Sequence, residues 1–106
     1  MASDASTIWI TFQEALGQAG NLRDCASDLK NIQQQLNGII DALQSGWSGE
    51  AARQFMGKCT TLWQKLGNSS TDLDRISTAI RSAAQAYYDA EMRALELAQT
   101  DSSGTL

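Results

Sequence analysis

The sequence predicts an all-α fold: an antiparallel helical hairpin that joins a second hairpin in a four-helix bundle. Three observations carry this expectation. The 106 residues contain no proline, so nothing obliges a helix to break. Apolar residues recur at alternating intervals of three and four on both sides of the midpoint, the spacing of a coiled-coil stripe. Both patterns stop together only at Gln44-Ser45-Gly46-Trp47-Ser48-Gly49, where Gly and Ser favour a reversal of the chain.

The first helix is expected over about residues 7–43. Its stripe reads Ile8, Phe12, Ala15, Ala19, Leu22, Ala26 and Leu29, then Ile32, Leu36, Ile39 and Leu43, with one slip of phase between Leu22 and Ile32. Ser3, Asp4 or Ser6 can cap its start. The turn takes residues 44–49. Trp47 is unusual there, because a turn in solvent does not need a large apolar ring.

The second helix is expected over about 50–98. Ala52, Phe55, Cys59, Leu62, Leu66, Ser69, Leu73, Ile76, Ile80, Ala83, Tyr87, Ala90, Ala94 and Leu97 follow an unbroken alternation. Gly67-Asn68-Ser69-Ser70-Thr71 has the poorest helix propensity of this half, so a bend or local fraying is expected there with the phase kept. Residues 100–106 are small and polar and read as a disordered tail. Residues 1–99 then form one domain.

Length adds a functional expectation. At about 1.5 Å per residue the helices measure roughly 55 and 73 Å. Folding about residue 47 leaves the segment from Tyr87 to Leu97 without an intrachain partner, although its apolar stripe continues. Trp9, Ile40, Met56, Trp63, Tyr88 and Met92 also widen the apolar face beyond what one helix covers. A single hairpin of this size has a marginal core, so a dimer is expected. Its interface is assigned to Phe12, Leu36, Phe55, Leu62, Trp63, Leu66, Leu73, Ile76 and Ile80.

Composition excludes several classes. Hydrophobic content of 42% with 19% charged residues is that of a folded helical protein. A net charge of −4 without a Lys/Arg cluster argues against nucleic acid as a partner. No apolar run is long enough for a membrane span, and net acidity without a basic polar face argues against membrane insertion. The N-terminal residues lack the basic and apolar regions of a secretory signal, so any export needs another route.

Cys25 and Cys59 lie at heights along the hairpin that differ by roughly 15 Å, whereas a disulfide needs Cα atoms within about 7 Å. Both are read as buried free thiols beside the seam. The chain has no His, the usual general base and zinc ligand. Asp72 with Asp74, and Asp89 with Glu91, are two apart on a helix and point to different faces. They read as solvated charge. No catalytic residue, metal site or cofactor is assigned, and the chain is not expected to be an enzyme.

Trp47-Ser48-Gly49 in the turn and Tyr87-x-x-x-Glu91 near the C-terminus, in that order on a proline-free hairpin of about one hundred residues, resemble the WXG-100 (ESAT-6-like) family of small type VII secretion proteins. The resemblance covers about Ile8 to Leu97. It implies that Tyr87 and Glu91 form an export signal, four residues apart on one helix face. It also implies that Trp47 and Gly49 form the turn motif, with Trp47 a hairpin staple, a receptor contact or both. The implied role is that of a type VII secretion substrate, cytoplasmic and then secreted without a cleavable signal peptide. The implied partners are a related helical hairpin, identical or not, and a type VII secretion ATPase. The alternative is a cytoplasmic targeting partner for a larger toxin with a related N-terminal helical domain.

Overall fold

The computed structural model of the chain describes residues 4–104, with side chains described to residue 100. Two helices account for nearly all of them: α1 over Ala5–Gly46 and α2 over Glu50–Gly104. The fold is an all-α antiparallel hairpin, and no strand occurs among the described residues. Asp4 caps α1, its Oδ1 accepting from the Thr7 backbone N–H at 2.7 Å while its carbonyl accepts from Ile8 at 3.0 Å. The side-chain bond satisfies an amide that a helix start leaves without a partner, and the carbonyl accepts the first bond of the helix ladder.

Each helix is longer than its apolar stripe suggests. α1 runs to Gly46, where Trp47 N–H still bonds to Leu43 C=O at 2.8 Å, so the turn shrinks to residues 47–49. α2 runs through 67–71 as continuous helix, which corrects the fraying expected there. It also continues to Gly104, where a disordered tail from Thr100 is expected; residues 105–106 lie outside those described. Without proline, good formers such as Leu97, Ala98 and Gln99 propagate the ladder into the polar residues that follow.

Contacts divide the chain into two compact units. A terminal unit joins Met1–Asn21 to Ile76–Leu106, and a turn unit is Leu22–Arg75. In the terminal unit Ile8, Phe12, Ala19, Ser77 and Ala84 are buried, and Ser77 Oγ donates to Ala19 C=O at 2.7 Å. In the turn unit Ala26, Ile40, Ala52 and Ser70 are buried, and Ser70 Oγ donates to Ala26 C=O, also at 2.7 Å.

These residues define the seam. In α1 it follows 12, 19, 26, 33 and 40, so no slip of phase occurs and Gln33 and Ile40 take the places expected of Ile32 and Ile39. In α2 it follows 56, 63, 70, 77 and 84, one residue beyond the expected Phe55, Leu62, Ser69, Ile76 and Ala83. Alanine and serine at the closest crossings let the helix backbones approach until a hydroxyl reaches a carbonyl across the gap. Larger side chains there would hold the helices apart. The bulky residues are rotated outward: Ile32, Ile39, Phe55, Leu62 and Ile76 are each about half exposed.

Gln33 shows how close the approach is. Its Nε2 donates to the Trp63 carbonyl at 3.0 Å. A Cβ on Gly67 would stand 2.6 Å from the same Nε2. The glycine that lowers local helix propensity therefore makes room for the crossing side chain, which offsets its cost.

Candidate functional site

The turn motif belongs to the turn unit. Gly49 has φ of +100°, a region that L side chains rarely enter. A Cβ there would meet nothing within 4 Å, so backbone conformation and not crowding demands glycine. Its carbonyl accepts from Arg53 N–H at 3.1 Å and opens α2. Trp47 packs on Phe55, with ring centroids 5.8 Å apart and planes at 46°. It nevertheless remains 54% exposed. The indole braces the second turn of α2 and still presents about half of its surface outward.

Around that turn the unit carries one broad apolar face. Ile32 and Ile39 each precede the seam positions Gln33 and Ile40, and Phe55 and Leu62 each precede Met56 and Trp63. A step of one residue turns a helix by about 100°. On antiparallel neighbours the same step leads to the same side of the pair. All four side chains therefore lie on one side, continued by the Trp47–Phe55 contact. Arg23 and Asp74 approach to 4.0 Å on the other side, each following a half-buried leucine, Leu22 and Leu73.

The expected interface residues divide accordingly. Phe55, Leu62, Trp63 and Ile76 are exposed, whereas Phe12 is buried and Leu36, Leu66, Leu73 and Ile80 are half-buried in or beside the intrachain seam. Ile32 and Ile39 join the outward set, although the sequence reading placed them in the intrachain stripe. The signal that could have assigned them was the heptad of small residues running beside them in α1 (Ala19, Ala26) and facing Ser70 and Ser77 in α2.

The Tyr87–Glu91 segment belongs to the terminal unit, and here the expected overhang is corrected. Ser77 pairs with Ala19. Fourteen residues back from Ala19 is Ala5, and fourteen on from Ser77 is Glu91, so α1 begins level with Glu91. The first turns of α1 flank Tyr87 and Tyr88, and only residues after Glu91 pass its end. Tyr87 and Glu91 are both half-buried. Tyr87 lines an open groove of about 280 Å³ with Thr11, Phe12, Ala15, Ile80, Ala83 and Ala84. Tyr88 turns instead toward Phe12 and Trp9, at centroid distances of 4.8 and 5.9 Å.

Chemistry-bearing groups are sparse. Both cysteines are free, Cys25 exposed and Cys59 half-buried, which corrects the expectation that both are buried: Cys25 lies off the seam that passes through Ala26. Among the described residues no three His, Cys, Asp or Glu side chains gather as a metal site. No described helix is long and apolar enough to cross a membrane. The Asp4 carboxyl is held below the usual carboxylate range by the hydrogen bonds it accepts from Thr7.

The fold and these surfaces define a small all-α hairpin protein with a Trp-x-Gly turn and a Tyr-x-x-x-Glu segment braced on α2. The profile of the family described as "WXG100: Proteins of 100 residues with WXG" matches residues 7–92. The chain belongs to the WXG100 family. It is therefore a small helical protein associated with type VII secretion, of a family whose members are secreted by that route and typically dimerise. No curated protein and no solved structure matched the chain.

Proposed function

We propose that the chain is a type VII secretion substrate that leaves the cell as a dimer and acts by helix-mediated association. The observation that carries this reading is the inversion of the seam. Alanine and serine fill the intrachain contact, while Ile32, Ile39, Phe55 and Leu62 stand about half exposed on one side of the turn unit. An apolar face of that size is costly in water and is expected to meet another surface of its kind. A second hairpin of the same chain supplies such a surface and completes a four-helix bundle.

In this reading Tyr87 and Glu91 are the export signal, contacted by the secretion ATPase, and Trp47 either staples the turn or joins that contact. Light scattering on the purified chain tests the association. A folded species of about twice the 11.5 kDa chain mass supports the secreted homodimer. A poorly helical monomer favours the second reading, a targeting partner that covers the helices of a larger toxin. That second reading draws on α2, which at 55 residues outruns the 42 of α1 and so offers surface to a dissimilar partner.

A further inference from the structure

We propose that Trp9, Phe12 and Tyr88 form an aromatic clamp that positions the Tyr87–Glu91 segment for export, so that the signal is presented only when the first turns of α1 are folded onto α2. The inference rests on the reading of Tyr87 and Glu91 as the export signal.

Three rings meet pairwise. Trp9 and Phe12 lie 5.9 Å apart, Phe12 and Tyr88 4.8 Å, and Trp9 meets Tyr88 edge-on at 5.9 Å and 69°. Such geometry adds directional preference to apolar contact. Consecutive residues on a helix point about 100° apart, so fixing the direction of Tyr88 also fixes that of Tyr87, which lines the groove beside it. Glu91, one turn on, follows.

The supply of rings is local to the start of α1. Ile8 is fully buried beside them, and Asp4 caps that same turn. Because α1 begins level with Glu91, its first three turns, through Ala15, are the intrachain support that the signal has from the other helix. Loss of those turns leaves residues 87–91 as an unsupported stretch of α2. A helix fluctuates most where tertiary contacts are few. The exporter would then meet a signal without fixed geometry, at a cost in affinity from ordering it on binding.

The test measures amide hydrogen exchange on the purified full chain and the secreted fraction in the producing cells. Trp9→Ala, Tyr88→Ala and Tyr88→Phe are compared with Tyr87→Ala and Glu91→Ala. In Trp9→Ala and Tyr88→Ala, exchange at residues 85–92 is expected to rise about 3- to 10-fold, with total helix content kept and secretion lowered by a similar factor. Tyr88→Phe keeps the ring and is expected to retain both properties. Where Trp9→Ala lowers helix content throughout, Trp9→Leu takes its place under the same criteria. Unchanged exchange at 85–92 overturns the proposal, as does normal secretion by Trp9→Ala when Tyr87→Ala and Glu91→Ala are blocked. Normal secretion of those last two overturns the export reading, and the proposal with it.

Discussion

Ser77 donates its hydroxyl to the carbonyl of Ala19 at 2.7 Å from a fully buried position. That carbonyl lies within α1, so the bond uses the second lone pair of an oxygen whose first serves the helix. The geometry requires the two backbones to be close, and it explains why a polar residue occupies the centre of an apolar seam. Ser77→Ala removes the bond without adding bulk and is expected to cost about 0.5–1.5 kcal/mol. Ser77→Leu must push the helices apart and is expected to cost about 1–3 kcal/mol or more. Denaturant titration of both variants checks the order. A Leu variant as stable as the Ala variant would show that the approach is loose.

A double-mutant cycle examines the crossing of Gln33 over Gly67. Gly67→Ala gains about 1 kcal/mol of helix propensity. It also displaces the Gln33 amide, whose Nε2 lies 2.6 Å from the new Cβ position, and forfeits a hydrogen bond of about 0.5–1.5 kcal/mol. The net change is expected near zero. With Gln33→Ala already in place, the same Gly67→Ala change is expected to stabilise by about 1 kcal/mol, because only the propensity gain remains. Equal effects in the two backgrounds would mean that the residues are uncoupled.

The hairpin was legible in the sequence because its signals are additive: no proline, two long periodic runs and one dense turn. The seam of α2 was legible at Ala52, Cys59, Leu66, Leu73 and Ile80, which lie in or beside it. It was misread at Ile76 and Leu62. Periodicity ranks positions by hydrophobicity, and Ile76 outranks Ser77 on any scale. Ser77 wins the buried place because close helices reward small volume and a donor that can reach a carbonyl. The same competition set Gln33 against Ile32 in α1. The aromatic contact of Trp9 with Tyr88 was invisible for another reason, since the register of two helices depends on their crossing and not on either pattern alone.

The turn offers a test of conformational strain alone. Gly49→Ala places a Cβ in open space but keeps φ near +100°, which should cost about 1–3 kcal/mol. Gly46→Ala, in the last turn of α1 without a positive φ, serves as the control and is expected to cost less. Thermal unfolding of the pair separates the two contributions. If the two substitutions cost the same, strain at Gly49 is not what the turn requires.

Asp4 gives the start of α1 a pH dependence. Its carboxyl is held below the usual range, chiefly by the backbone hydrogen bond from Thr7. A depressed folded value means that the cap stabilises fully above the unfolded aspartate pKa and is lost as pH falls through the folded value. Protection of the Thr7 and Ile8 amides, taken relative to their intrinsic exchange rates, should therefore fall as solutions are made more acidic than the ordinary aspartate range. In Asp4→Asn, which caps without titrating, that loss of protection should be absent. An identical acid profile in both proteins would assign the change to another group.

Leu62 separates the fold of one chain from the association of two. Its side chain is about half exposed in the hairpin, so Leu62→Asp is expected to alter helix content little. In a four-helix bundle the same position is covered, and an unpaired carboxylate there should weaken dimerisation by about 2 kcal/mol or more. Thr61→Asp adds the same charge to the neighbouring residue, about 100° away on the helix and turned from the apolar face, and is expected to leave the dimer intact. Sedimentation equilibrium at several concentrations reads the association constant directly, with circular dichroism to confirm the helices. The decisive comparison is between the two aspartates: only a loss confined to position 62 identifies the apolar face as the interface, and a loss shared by both would point to charge in place of burial.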